Sequence, residues 1–144
     1  MMVHQDMMDT AIYNHNHANN RSVQMMRLIT KLNNAVLKLK KKYNSHGLAY
    51  DIIDCELIRI ADAFEVLIDR RSYAISTAYD VTSNDYPDME SRVRAAMLAT
   101  RSMVDFADDI SNVYERTCRR VNKIRKSCDE QYNTHLAREA VTRT

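Results

Sequence analysis

The chain has 144 residues, with one glycine, one proline and no tryptophan, enough for one domain and short for two. Glycine and proline together make up ~12% of an average protein, so folds built on positive-φ turns or glycine phosphate loops are disfavoured, among them β-sandwiches, hairpin-rich barrels and Rossmann sheets. The hydrophobic content of 45% supports a buried core and the net charge of +2 is ordinary, while no apolar run approaches the ~18 residues of a membrane span.

The expected class is a soluble all-α protein. Its architecture reads as an elongated antiparallel three-helix bundle, coiled-coil-like, with a long third helix and a short N-terminal arm. Residues 1–21 are that arm. Met2, Val3, Met7, Met8, Ala11 and Ile12 carry a short amphipathic helical pattern, but the run from Asn14 to Asn20 is mostly polar and made of poor helix formers. The arm is expected to order on a partner or fold back. Its start has no basic stretch leading into an apolar one, so no secretory signal is predicted.

The bundle is expected over residues 22–144. The first helix is predicted over 22–44, with Ser22 as N-cap. Met25, Ile29, Leu32, Val36, Leu39 and Tyr43 alternate steps of four and three, a heptad seam. Gly47 is placed to end it in a left-handed C-cap. The second helix is predicted over 48–83. Its seam is Ile53, Leu57, Ile60, Phe64, Leu67, Ala74 and Ala78, with Arg71 filling one position. A second row, Ile58, Ala61, Ile68, Ile75 and Tyr79, widens the apolar face, and a broad face usually touches two neighbours. This helix is therefore expected to be the most buried.

Thr82–Pro87 is the breaker, and a third helix is predicted over 88–136. Met89, Val93, Ala96, Thr100, Met103, Ala107, Ile110, Tyr114, Thr117, Val121, Ile124 and Cys128 follow without a break in phase. Read to His135 it is ~70 Å long at 1.5 Å per residue, so the expected shape is a rod. Because the third helix outruns the second, Tyr114, Val121, Ile124 and Cys128 are expected to lack cover from their own chain. They are the predicted self-association stripe of a homo-oligomer, a dimer being favoured.

Charge is unevenly laid out. Seven bases and no acid lie between Arg21 and Lys42, ten acids against three bases between Asp51 and Glu90, and six bases and no acid between Arg116 and Lys126. Antiparallel folding would bring Lys38, Lys40, Lys41 and Lys42 to the same pole as Arg116, Arg119, Arg120, Lys123, Arg125 and Lys126. Such a pole could bind nucleic-acid phosphates or anionic lipid. The plainer reading is a solvated face whose bases pair with Asp51, Asp54 and Glu56. No aromatic residue interleaves the clusters, so stacking of single-stranded bases is not indicated.

Other chemistry finds little support. Asp51/Asp54, Asp62/Glu65/Asp69 and Asp105/Asp108/Asp109 have the helical spacing of Mg²⁺-binding carboxylates, but exposed i, i+4 faces explain them more simply. His15 and His17 have no nearby ligands to complete a zinc motif. No nucleophile motif is present, so neither catalysis, metal nor cofactor is expected. Met7, Met8, Met25 and Met26 read as core filling or as an adaptable docking stripe. Cys55, Cys118 and Cys128 form an odd set without CxxC spacing, which predicts free thiols in a reducing compartment, cytoplasm, nucleus or virion. The function expected is non-enzymatic self-association and protein assembly, as a scaffold, adaptor, chaperone or virion-type structural component working with a protein partner that the residues do not identify. A nucleic-acid-binding accessory protein is the alternative.

Overall fold

The computed structural model describes residues 2–83 and 85–143 as three helices, α1 (Met2–Asn44), α2 (Asp51–Ser83) and α3 (Met89–Arg143), with no strand among the described residues. Met1, Asn84 of the predicted breaker, and Thr144 lie outside them. The 55 residues of α3 span about 80 Å at 1.5 Å per residue. The interior rows repeat at heptad spacing. On α2, Ile53, Ile60, Leu67, Ala74 and Val81 are all buried, each seven residues from the next. On α3 the predicted phase is the buried one, from Val93 through Met103 and Ile110 to Cys128.

The turns follow from local chemistry. Gly47 sits at φ 73°, the left-handed conformation that glycine adopts without cost. The Leu48 N–H donates to the Tyr43 carbonyl at 2.9 Å and the Gly47 N–H to that of Asn44 at 3.0 Å, the paired bonds of a Schellman cap. At the start of α3, the Asp88 carboxylate accepts the Ser91 N–H at 2.7 Å, an N-cap. That bond holds the Asp88 carboxyl below its ordinary range.

Cross-helix bonds fix the topology. Ala11 with Thr100, Arg21 with Asp108 and Ser111, and Tyr43 with Asp129 lie between 86 and 90 positions apart. A constant offset means that α1 and α3 run parallel. The Arg120–Glu56 and Arg70–Asp109 bonds shrink from 64 to 39 positions apart, so α2 is antiparallel to α3. Lys40–Asp54 and Arg71–Asn19 do the same for α1 and α2.

Three expectations are corrected. First, there is no separate arm: α1 is one 43-residue helix, and Ser22 is not an N-cap. Its seam continues upstream in phase through Ser22, Ala18, His15, Ala11 and Met8, all buried or half-buried. Tertiary contacts override the weak propensity of the asparagine-rich run. The Asn19 side-chain oxygen accepts a bond from Arg71 at 3.0 Å, and the buried Ser22 hydroxyl donates to the Asn19 carbonyl at 2.7 Å. Second, α2 is not the most buried helix. One heptad row faces the bundle, and much of the second row stands in solvent. Third, Val121, Ile124 and Cys128 do not overhang uncovered. They are buried in the main core with Leu39, Tyr43 and Ile53, and Tyr114 packs half-buried against them. The parallel run of α1 and the 45–50 connection cover that stretch. The exposed end of α3 begins only after Tyr132 and includes Leu136.

The core has two parts. The larger joins Ile29, Val36, Tyr43, Ile53, Met103 and Ile110 with their neighbours, and the smaller is mostly small side chains: Met8, Ala11, Val81, Val93, Ala96 and Ala99. An aromatic group closes the end where α1 passes into α2. Tyr43 meets Tyr50 and Tyr132 edge to face at 5.2 and 5.8 Å between centroids, and its hydroxyl donates to Asp129. Burial, then that bond, raises the Tyr43 hydroxyl well above its ordinary range, and burial beside Asp129 raises the Cys128 thiol.

Candidate interaction surfaces

The two basic clusters come together only in part. Lys31, Lys38 and Lys42 of α1 and Arg125 of α3 line one groove of about 510 Å³ over Ala35 and Leu39. The spacing on α1, i, i+7 and i+11, puts the three lysines on one helix face. Arg116, Arg119, Lys123 and Lys126 recur at i, i+3, i+7 and i+10 and are all exposed, a stripe along the outside of α3. Lys41 is exposed as well.

Some bases are neutralised inside the chain. Arg120 donates to both carboxylate oxygens of buried Glu56, at 2.8 and 3.2 Å. Lys40 pairs with Asp54 at 2.8 Å and Lys42 with Asp129 at 3.6 Å. The others, Lys38, Lys41, Arg116, Arg119, Lys123, Arg125 and Lys126, form no ion pair among the described residues. A dense set of free cations attracts polyanions without needing shape.

The carboxylate groups do not converge. Asp108 pairs with Arg21 and Asp109 with Arg70, and no cluster of three or more metal-ligating side chains occurs among the described residues. His17 stacks on Tyr13, His46 leans on Tyr132, and His135 pairs with Glu139. Cys55 is exposed, Cys118 half-buried and Cys128 buried, all as free thiols. Among the four methionines singled out, Met8 is in the smaller core part, Met25 and Met26 pack against the larger one, and Met7 is exposed.

Two apolar surfaces were not foreseen as such. α2 exposes Ile58 (63%), Val66 (57%) and Tyr73 (70%) to solvent, and Ile68 (44%) at the crevice between α1 and α2. Asp51, Asp62, Glu65, Asp69 and Asp80 stand among them, exposed and without an ion pair among the described residues. The second surface is a groove of about 810 Å³ between the first turns of α1 and of α3, floored by Met7, Ala11, Met97, Leu98 and Val104. Arg94 and Arg101 flank it and Asp6 sits on its rim. The second heptad row supplies only Ile58 and Ile68 of these; Val66 and Tyr73, seven residues apart, belong to neither predicted row. The groove needs the parallel pairing of α1 and α3, which no single segment encodes.

No helix among the described residues is long and apolar enough to cross a membrane. Comparison with protein-family models, with curated proteins and with solved structures finds no match for this chain.

Proposed function

We propose that this chain is a non-enzymatic assembly protein, a rigid helical rod that associates with other chains, its own copies first, in a scaffold, adaptor, chaperone or virion-type structural role. The observation that carries this reading is the number of large apolar side chains that α2 leaves exposed, Ile58, Val66, Ile68 and Tyr73 among them, interleaved with carboxylates. Exposed apolar side chains grouped on one element mark interaction sites where singly scattered ones do not, and long helices dock through such anchors. The predicted stripe on Val121, Ile124 and Cys128 is spent inside the chain, so the contact surface moves to α2 and to the α1/α3 groove. Light scattering coupled to size exclusion, over a concentration series, tests this. Mass should rise above one chain; a single-chain mass at the highest concentration refutes self-association.

A second reading is polyanion binding. The groove of Lys31, Lys38, Lys42 and Arg125 and the stripe of Arg116, Arg119, Lys123 and Lys126 favour it. Nucleic acid bound at low salt should then be released steeply as salt rises, read from the 260/280 absorbance ratio of the same eluting peak. Charge reversal at Lys38, Arg119, Lys123 and Arg125 should abolish it.

A further inference from the structure

We infer that the crevice between α1 and α2, at the end of the rod where α1 begins, binds an amphipathic monoanion: a hydrocarbon body fills the cavity and a carboxylate is held at its polar end.

The space comes from the size of the side chains. In the smaller part of the core the three helices meet through Ala11, Ala78, Ala96 and Ala99. Alanines at facing positions leave volume that larger residues fill elsewhere in a close-packed bundle. The result is a cavity of about 380 Å³, with Ile12, Ile75 and Tyr79, all exposed, around its mouth. Ligand pockets start at ~300 Å³. At ~30 Å³ for a water-sized group, this one takes about a dozen non-hydrogen atoms. Its lining runs from Met8 to Asn19 along α1, ~16 Å at 1.5 Å per residue. It is distinct from the α1/α3 groove. Met7, Thr10 and Asn14 turn to that groove, while Met8, His15 and Asn19 turn to this cavity.

One end is polar. His15 and Asn19, one turn apart on α1, line it there. Arg71 of α2 donates through Nη2 to the Asn19 side-chain oxygen at 3.0 Å. Its Nε lies on the same edge of the guanidinium, is buried and has no hydrogen-bond partner; the same is true of the buried His15 Nε2. Arg71 forms no ion pair among the described residues. Buried donors left unmet are costly, and the edge of a guanidinium fits a carboxylate. A carboxylate at this end supplies the acceptor that both donors lack. Both atoms are sealed from solvent, so binding turns the half-buried Arg71 and His15 side chains toward it. The lining also holds Arg92 and, among the described residues, no carboxylate, so a cationic head finds no partner.

Sodium decanoate below its micelle concentration is the probe, with decyltrimethylammonium as the same chain carrying the opposite charge. Titration calorimetry should show one decanoate per chain, and the cation should bind at least about tenfold more weakly. Arg71→Met should weaken decanoate about tenfold, the loss of one charge-assisted hydrogen bond. Ala78→Leu, which fills the cavity from α2, should abolish binding. Circular dichroism reports that both variants stay folded. The unsubstituted chain gives a readout independent of them: decanoate should shift the nuclear magnetic resonance signals of the His15 ring and leave those of His135, at the far end of the rod, unmoved. No binding of decanoate means that water alone meets the two donors, and the site is wrong. Equal binding of the cation removes the anion site. Undiminished binding in folded Ala78→Leu, or an unmoved His15 ring, puts the chain elsewhere and overturns the assignment.

Discussion

Leu67 and Ile68 are neighbours in sequence and isomers that differ only in where the side chain branches. Leu67 is 2% exposed and Ile68 44%. Each belongs to a heptad row on α2, one turned into the bundle and one to the open crevice beside α1. The spacing rule that identifies a seam says that a row wants a partner helix. It does not say that the partner belongs to the same chain. That is what the two rows of α2 teach, and it is why a broad apolar face, read as deep burial, turned out to mark the most open helix.

The sharpest way to break the comparison is to truncate both neighbours. Leu67→Ala should cost about 2–5 kcal/mol, the range for emptying a packed core site, in urea unfolding at low concentration. Ile68→Ala should stay within ~0.5 kcal/mol under those conditions. Equal losses at the two sites would mean that the outward row is buried in the single chain. Next in size is the buried ion pair. Glu56 is 3% exposed and Arg120 29%. Glu56→Gln should destabilise by about 1–3 kcal/mol, while Asp54→Asn, at the exposed Lys40 pair, should cost under ~1 kcal/mol.

Tyr43→Phe is smaller, about 1 kcal/mol for one hydrogen bond. It also changes the alkaline limb. The folded state holds the Tyr43 hydroxyl above its unfolded value, so the stability linked to that proton is present below pH ~10 and is lost as pH rises beyond it. The Cys128 thiol, raised by burial, adds a similar loss from a lower pH. Urea midpoints measured upward from neutral pH should fall less steeply for Tyr43→Phe. The smallest effect is at the start of α3. The depressed Asp88 carboxyl stabilises the cap above the ordinary carboxylate range and loses it as pH falls through its folded value. The protection of the Ser91 amide, its exchange rate set against the intrinsic rate at the same pH, should fall in acid, and Asp88→Ala should show that lower protection at neutral pH.

Much of the fold was legible in the sequence because three helices with heptad seams announce themselves. The phase from Val93 to Cys128 is the buried phase, and the lone glycine sits in the cap where its left-handed φ is needed. In the asparagine-rich run of α1, propensity and phase disagree, and the phase decides. His15, Ala18 and Ser22 continue the seam, and Arg71, itself a seam residue, reaches Asn19 across it. The basic pole was half legible. Sequence order brings the end of α1 to the middle of α3, but helical spacing splits the second cluster, sending Arg125 to the groove and Arg116, Arg119, Lys123 and Lys126 to the outside. The cover over Val121, Ile124 and Cys128 depended on the α1–α3 register, which cross-helix bonds fix and local patterns do not.

The exposed thiol of Cys55 and the buried one of Cys128 allow the most direct measurement: the alkylation rate of each in the unsubstituted chain, resolved by peptide mass spectrometry across a protein concentration series. Cys55 lies on α2 at i, i+11 from Val66 and i, i+18 from Tyr73, the same outward side at 3.6 residues per turn. If α2 docks on another copy, the Cys55 rate falls as concentration rises while Cys128 stays protected throughout. A Cys55 rate independent of concentration, in a chain whose mass still grows, would contradict α2 as the face that makes the contact.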